Sequence, residues 1–156
     1  IQKLKSKEYA DAMKYFEEAA ELCGDCIDLN QYYLRAGQSA VIMGNASKAR
    51  AFARKILAND QNNGDALMLI GDAIAASAKS CDDGKLGMAG AYWLAVDYYQ
   101  RARSADSSIA DKANQKIAGY KKYFPNKKDV FFNGKQIGDS YTVECFGEST
   151  TVRASD

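Results

Sequence analysis

Apolar residues recur at helical spacing along most of the chain, and the pattern repeats. Three stretches, "EYADAMKYFEEAAELCGDC" from Glu8, "NASKARAFARKILANDQNN" from Asn45 and "AYWLAVDYYQRARSADSSI" from Ala91, each read as one amphipathic helix. In register, Tyr9, Ala46 and Tyr92 align, then Ala12, Ala49 and Ala95, then Phe16, Ala53 and Tyr99, and finally Ala19, Ile56 and Ala102. Offsets of three, four and three residues put each set on one helix face. The second and third stretches are preceded by "NQYYLRAGQSAVIMG" and "GDALMLIGDAIAASA", helices of a second type in which Gly37 and Gly71 fall at matching places. Glycine costs roughly 1 kcal/mol in a helix interior relative to alanine, so its recurrence predicts a neighbour passing close. Paired antiparallel helices follow.

Downstream, "IADKANQKIAGYKKYF" reads as a further helix with Ile109, Ala113, Ile117 and Tyr120 inward, stopped by Pro125. The period then changes from helical to alternating. Tyr141, Val143 and Cys145 alternate with Thr142, Glu144 and Phe146, and "STTVRA" follows, which predicts a β-hairpin. A weaker strand, "VFF", is expected before the turn signal Asn133-Gly134. The hairpin should cover the last helices through Tyr141, Val143 and Phe131 or Phe132.

The repetition resembles the tetratricopeptide repeat, whose two-helix unit carries an aromatic, Leu-Gly and Tyr in its first helix and small, aromatic and small residues in its second. Tyr33, Gly37, Ala49 and Ile56 occupy those places in one unit, and Leu67, Ile70, Gly71, Ala95, Tyr99 and Ala102 in the next. The resemblance implies an all-α, right-handed helical-repeat solenoid over residues 1–124, of about three helix pairs plus a capping helix. Residues 125–156 would form a β-hairpin cap. The chain departs from the family in two ways. Gly24, Gln61 and Ser107 stand where a proline usually separates units, and the Ala49 to Ala95 spacing exceeds the usual period by about twelve residues. The excess falls in "KSCDDGKLGMAG", Lys79 to Gly90, expected as a partner-contacting loop or as an insertion packed on the hairpin. Only "IQKLK" stands where the first unit's first helix belongs, and the chain opens at Ile1, so a truncated first unit is expected. The tail, with "YFP", "FF", "GDSYTVECF" and "TTVR", also resembles that of exported tetratricopeptide proteins of Bacteroidetes-type bacteria. That likeness implies an envelope, periplasmic or secreted location.

Composition narrows the chemistry. With 156 residues, 47% of them apolar, the chain is long enough for one continuous core. A net charge of +1 provides no global field for nucleic acid, and no apolar run approaches a bilayer span. The chain has no histidine, which removes Ser-His and Cys-His catalysis and every His-containing metal site. The lysine-rich "KANQKIAGYKKYFPNKK" mixes basic and aromatic residues, but lysines in the last turn of a helix offset its macrodipole and the aromatics fall at core spacing. Asp65 and Asp72 share a helix face without a nucleophile, cofactor motif or metal set beside them. The expected protein is not an enzyme and takes no cofactor.

Cys23 and Cys26 follow the C-terminus of a helix, where the dipole has the wrong sign to stabilise a thiolate. They read as a redox couple, half of a zinc site with Cys81 and Cys145, a disulfide, or two small residues in a turn. The resemblance to exported proteins favours disulfides, Cys23 with Cys26 and Cys81 with Cys145. The tetratricopeptide resemblance implies a concave groove lined by Gln31, Leu34, Gln38, Val41 and Ile42 from one unit and Asp65, Met68, Asp72, Ala75 and Ala76 from the next. Such a surface suits an extended or helical peptide, with Leu34, Ile42 and Met68 as apolar contacts. The expected function is a protein-interaction scaffold; the alternative is an accessory domain of an envelope complex that docks through its insertion or hairpin.

Overall fold

The computed structural model describes the backbone of residues 2–156 and the side chains from Lys5 onward. These residues form a mostly helical structure with one small antiparallel sheet. The helices are α1 (Gln2–Cys23), α2 (Leu29–Ile42), α3 (Ala46–Asn59), α4 (Gly64–Ala76), α5 (Gly87–Ala105), α6 (Ala110–Lys121) and α7 (Lys127–Phe132). Strands β1 (Ser140–Val143) and β2 (Glu148–Thr151) close the chain, paired from Ser140 opposite Thr151 to Val143 opposite Glu148. From α1 to α6 each helix packs on the next, and α2 also touches α4.

Local chemistry sets the starts of three helices. The side-chain carbonyls of Asn45, Asn63 and Asn126 accept the backbone N–H of Lys48, Ala66 and Asp129 at 3.0, 2.9 and 2.8 Å, capping α3, α4 and α7. At the other end of α1, Gly24 takes φ of 67°, where a Cβ would be strained, and turns the chain so that Cys26 returns to Cys23.

The core runs through α4 and α5. From Gly90 to Val96 every residue of α5 is buried, and Trp93 and Tyr99 are fully enclosed. In α3 and α5 the repeated positions face inward as their spacing requires: Ala49, Ala53 and Ile56, then Ala95, Tyr99 and Ala102. In α1 the most buried residues are instead Met13 and Ala20, one step beyond the aligned Ala12 and Ala19. Helix α1 packs chiefly against α2, with Met13 also joining Ala49 and Phe52 of α3 in one cluster and Glu17 pairing with Lys48 at 3.7 Å.

Several expectations are corrected. "IQKLK" is not the remnant of a separate helix: Gln2 to Lys5 run unbroken into α1, while Ile1 lies outside the described residues. "VFF" is not a strand but the end of α7, because Asn126 caps a helical turn that the apolar run then completes. Neither Phe131 nor Phe132 packs inward; Val130 does, and both phenylalanines face solvent. The hairpin strands are shorter than the alternation suggested. Cys145 and Phe146 lie in the turn, where Phe146 and Gly147 return their N–H groups to the Val143 carbonyl at 3.0 and 2.9 Å.

The tail is bound to the helices by charge as well as by burial. Val143 and Val152 are enclosed, and Gly90 of α5 lies against the Tyr141 ring, where an added Cβ would come within 2.5 Å of Cε1. Arg153 donates to the Asp97 carboxylate at 2.7 Å and to the Trp93 carbonyl at 2.8 Å. Glu148 accepts from Arg50 at 2.9 Å and from the Tyr98 hydroxyl, joining the sheet to α3 and α5. The insertion, Lys79 to Gly90, comprises a 3-10 turn through Cys81, a short loop and the first residues of α5. A bridge from Cys81 to Cys145 fastens it to the hairpin turn, with Cα atoms 5.7 Å apart. Because Cys23 bonds to Cys26, the four cysteines form two bridges rather than a four-thiolate zinc site.

The two bridges should differ in thermodynamic weight. Closing 64 residues removes far more freedom from the unfolded chain than closing three. Urea unfolding of Cys81→Ser with Cys145→Ser should show a loss approaching about 4 kcal/mol, against under about 2 kcal/mol for Cys23→Ser with Cys26→Ser. Equal midpoints for the two double variants would contradict this ranking.

Candidate functional site

Five of the ten residues expected in a groove line one small cleft. Leu34 and Gln38 come from α2 and Asp65, Met68 and Asp72 from α4, joined by Leu69 and by Lys112 and Lys116 of α6. The cleft measures about 220 Å³. The other five residues separate from it. Gln31, Ile42 and Ala76 are exposed outside the cleft, Val41 is half-buried, and Ala75 lies in the core beside α5.

Two of the expected apolar contacts form the floor rather than a free surface. Leu34 and Met68 are 9% and 5% exposed, because both belong to the main core where α2 touches α4. What remains open is the polar rim. Asp72 accepts a hydrogen bond from the Tyr99 hydroxyl at 2.6 Å and pairs with Lys116 at 3.4 Å, so its carboxylate is anchored from below and from the side. Among the described residues Asp65 of α4 and Lys112 of α6 enter no ion pair or side-chain hydrogen bond, and they give the cleft one acidic and one basic lining group.

The glycines beneath the cleft explain how the helices approach. Gly37 of α2 lies against Leu69 of α4, and Gly71 of α4 lies against the Tyr99 ring, where a Cβ would come within 2.6 Å of Cε1. The recurring glycine therefore does mark a close passage, filled by a side chain of a packed neighbour, α4 for Gly37 and α5 for Gly71. Tyr99 continues into a stack with Tyr120 at 5.9 Å, and Tyr120 with Tyr92 at 5.7 Å, which ties α6 and its lysines to α5. Burial, reinforced by the Asp72 carboxylate, holds the Tyr99 hydroxyl far above its ordinary pKa.

Sequence reasoning missed Lys112 and Lys116. Both are solvent-side residues of the helix whose inward face is Ala113 and Ile117, and only the packing of α6 on α5 carries them to α4. The signal was their four-residue spacing, which puts both on one helix face.

A second cleft, of about 740 Å³, lies between the insertion and β1, lined by Ser80 to Asp83, Lys85, Gly87, Lys135 and Ser140 to Cys145. Its acidic loop is ordered by its own backbone. Asp83 accepts the N–H groups of Gly87 and Lys85, both at 2.9 Å, and these bonds hold its carboxyl below the usual range. Among the described residues no cluster of three or more His, Cys, Asp or Glu side chains is placed to hold a metal ion, and no helix is long and apolar enough to cross a membrane. Compared with known protein families, curated proteins and solved structures, the chain has no significant match.

Two measurements check this packing. Gly71→Ala should cost roughly 1–3 kcal/mol because the Tyr99 ring must move, whereas Gly119→Ala, which meets only open space on α6, should stabilise by up to about 1 kcal/mol. The second is alkaline titration. The buried Tyr99 keeps its proton while the unfolded chain ionises, so its contribution is fully present below pH 10 and lost as the pH rises above it. The melting temperature should fall above pH 10, and fall less in Tyr99→Phe, although that variant starts about 1–2 kcal/mol lower for want of the bond to Asp72.

Proposed function

We propose that this protein is a non-enzymatic interaction module, a tetratricopeptide-like helical-repeat scaffold that takes a peptide or protein segment in the cleft of α2, α4 and α6. The observation that supports this reading is the convergence of Leu34, Gln38, Asp65, Met68 and Asp72 with Lys112 and Lys116 on one surface. At about 220 Å³ the cleft is smaller than the roughly 300–1,000 Å³ of small-molecule sites, and suits one or two side chains of a longer segment. Asp65 from α4 and Lys112 from α6, of opposite charge, favour a partner that carries both signs of charge. The anchored Asp72 belongs to the support of the site, and Asp65, Lys112 and Gln38 are its reading groups.

A second reading, an accessory domain that docks through its insertion or hairpin, draws support from the larger cleft beside Cys81–Cys145 and from the backbone bonds that order Asp83. Both readings suit an oxidising compartment, the cell envelope, periplasm or exterior, where two disulfides persist.

A peptide display library selected on the wild-type protein distinguishes them. Binders should lose at least about tenfold in affinity on Asp65→Lys with Lys112→Glu, a change that removes no hydrogen bond of the fold and should leave circular dichroism unaltered. Binders indifferent to that variant but lost on deletion of residues 82–85 would move the site to the insertion.

A further inference from the structure

The large apolar side chains that packing leaves uncovered near the C-terminus centre on α7. Phe131 and Phe132 are 77% and 73% exposed, and Ile137 follows half exposed on the next turn. A six-residue helix anchored through Val130 cannot also turn the next two residues inward, since successive helical side chains diverge by about 100°. The segment is nevertheless held firmly. Asn126 caps it, the Lys127 N–H donates to the Asp156 carboxylate at 2.9 Å, the Lys135 N–H reaches the Val130 carbonyl at 3.2 Å, and the Ser155 N–H reaches the Pro125 carbonyl at 2.9 Å. The two rings are thus displayed on a fixed frame.

Basic residues flank them along the chain. Lys121, Lys122, Lys127, Lys128 and Lys135 fall within residues 121–135, against Asp129 alone, in a chain whose net charge is only +1. Asp139 and Asp156 are engaged by the backbone N–H groups of Gln136 and Lys127, while Lys135, half-buried, shares the second cleft with Asp82, Asp83 and Glu144. None of the five lysines enters an ion pair among the described residues. The Lys128 ammonium lies 5.9 Å from the Phe132 ring centroid, so the basic and apolar surfaces are contiguous. Lysine is depleted in the cores of protein interfaces, whereas unpaired lysines around protruding aromatic rings complement anionic headgroups above an acyl boundary.

We propose that α7 and the turn after it dock peripherally on an anionic phospholipid surface. Phe131 and Phe132 enter the headgroup boundary, and the lysines lie against the phosphates. The inference stands apart from the cleft of α2, α4 and α6 and does not need it.

Vesicle co-sedimentation tests it with the intact chain. The protein should partition onto vesicles of phosphatidylglycerol and phosphatidylcholine in equal parts, not onto phosphatidylcholine alone, and should be released as salt is raised to about 0.5 M. Phe131→Ala with Phe132→Ala should weaken partitioning by roughly tenfold or more, as should Lys127→Glu with Lys128→Glu, with circular dichroism unchanged because all four side chains are exposed. Phe132→Trp supplies a gain of signal: its indole emission should shift to the blue on anionic vesicles, while Trp93, already enclosed, does not respond. Failure to prefer anionic vesicles, or equal binding by the alanine variant, overturns the proposal. So does concentration-dependent self-association that the alanine variant abolishes without any vesicle binding, which would make the same face a contact between protein chains.

Discussion

Helix α5 has no side to give to water between Gly90 and Val96, and that requirement organises the molecule. An amphipathic helix needs one neighbour, but a helix apolar all round needs cover on every side. Helices α4 and α6 supply two sides, and the insertion and hairpin complete the enclosure. Exposing Trp93, Val96 and Tyr99 would each cost about 1.5–3 kcal/mol, so the tail that covers part of this surface belongs to the core energetically although it lies at the chain's end. The Arg153 contacts with Asp97 and the Trp93 carbonyl specify how that cover sits. A partly exposed ion pair contributes little by itself, and here it selects one orientation of a tail that burial already holds down.

The same enclosure generates the cleft. Tyr99 is buried to fill the space left by Gly71, and its hydroxyl needs a partner, which Asp72 provides. Asp72 in turn attracts Lys116 from α6. An acidic residue that reads as a binding group in one dimension is thus first a solution to a buried hydroxyl. The other polar groups of the cleft, Asp65, Gln38 and Lys112, come from α4, α2 and α6.

What was legible in the sequence was what repeats. Ala49, Ala53 and Ile56 recur as Ala95, Tyr99 and Ala102, and a period seen twice specifies inward faces without knowledge of the neighbour; Gly37 and Gly71 gave the close passages in the same way. What was illegible depends on pairs distant along the chain. Nothing local to Arg153 points to Asp97, nor anything local to Lys116 to Asp72. The misreading of "VFF" has a different cause, since three apolar residues fit a strand or a helix equally well. The deciding signal was the cap, Asn126 followed three residues later by Asp129, and it outweighed β-propensity.

The Cys81–Cys145 bridge also has a mechanical consequence. A pull applied to the two ends of the chain is carried across the sulfur atoms and bypasses residues 82–144, which include α5, α6, α7 and β1. Those residues would otherwise release roughly 200 Å of contour length, at about 3.4 Å each. While the bridge stands, only α1 to α4 and β2 can be drawn out, and the lipid-facing segment proposed on α7 remains inside the protected loop. Tension on the chain would therefore reach α2 and α4 on one side of the cleft, while α6 with its two lysines, and α7, stay unstretched behind the bridge.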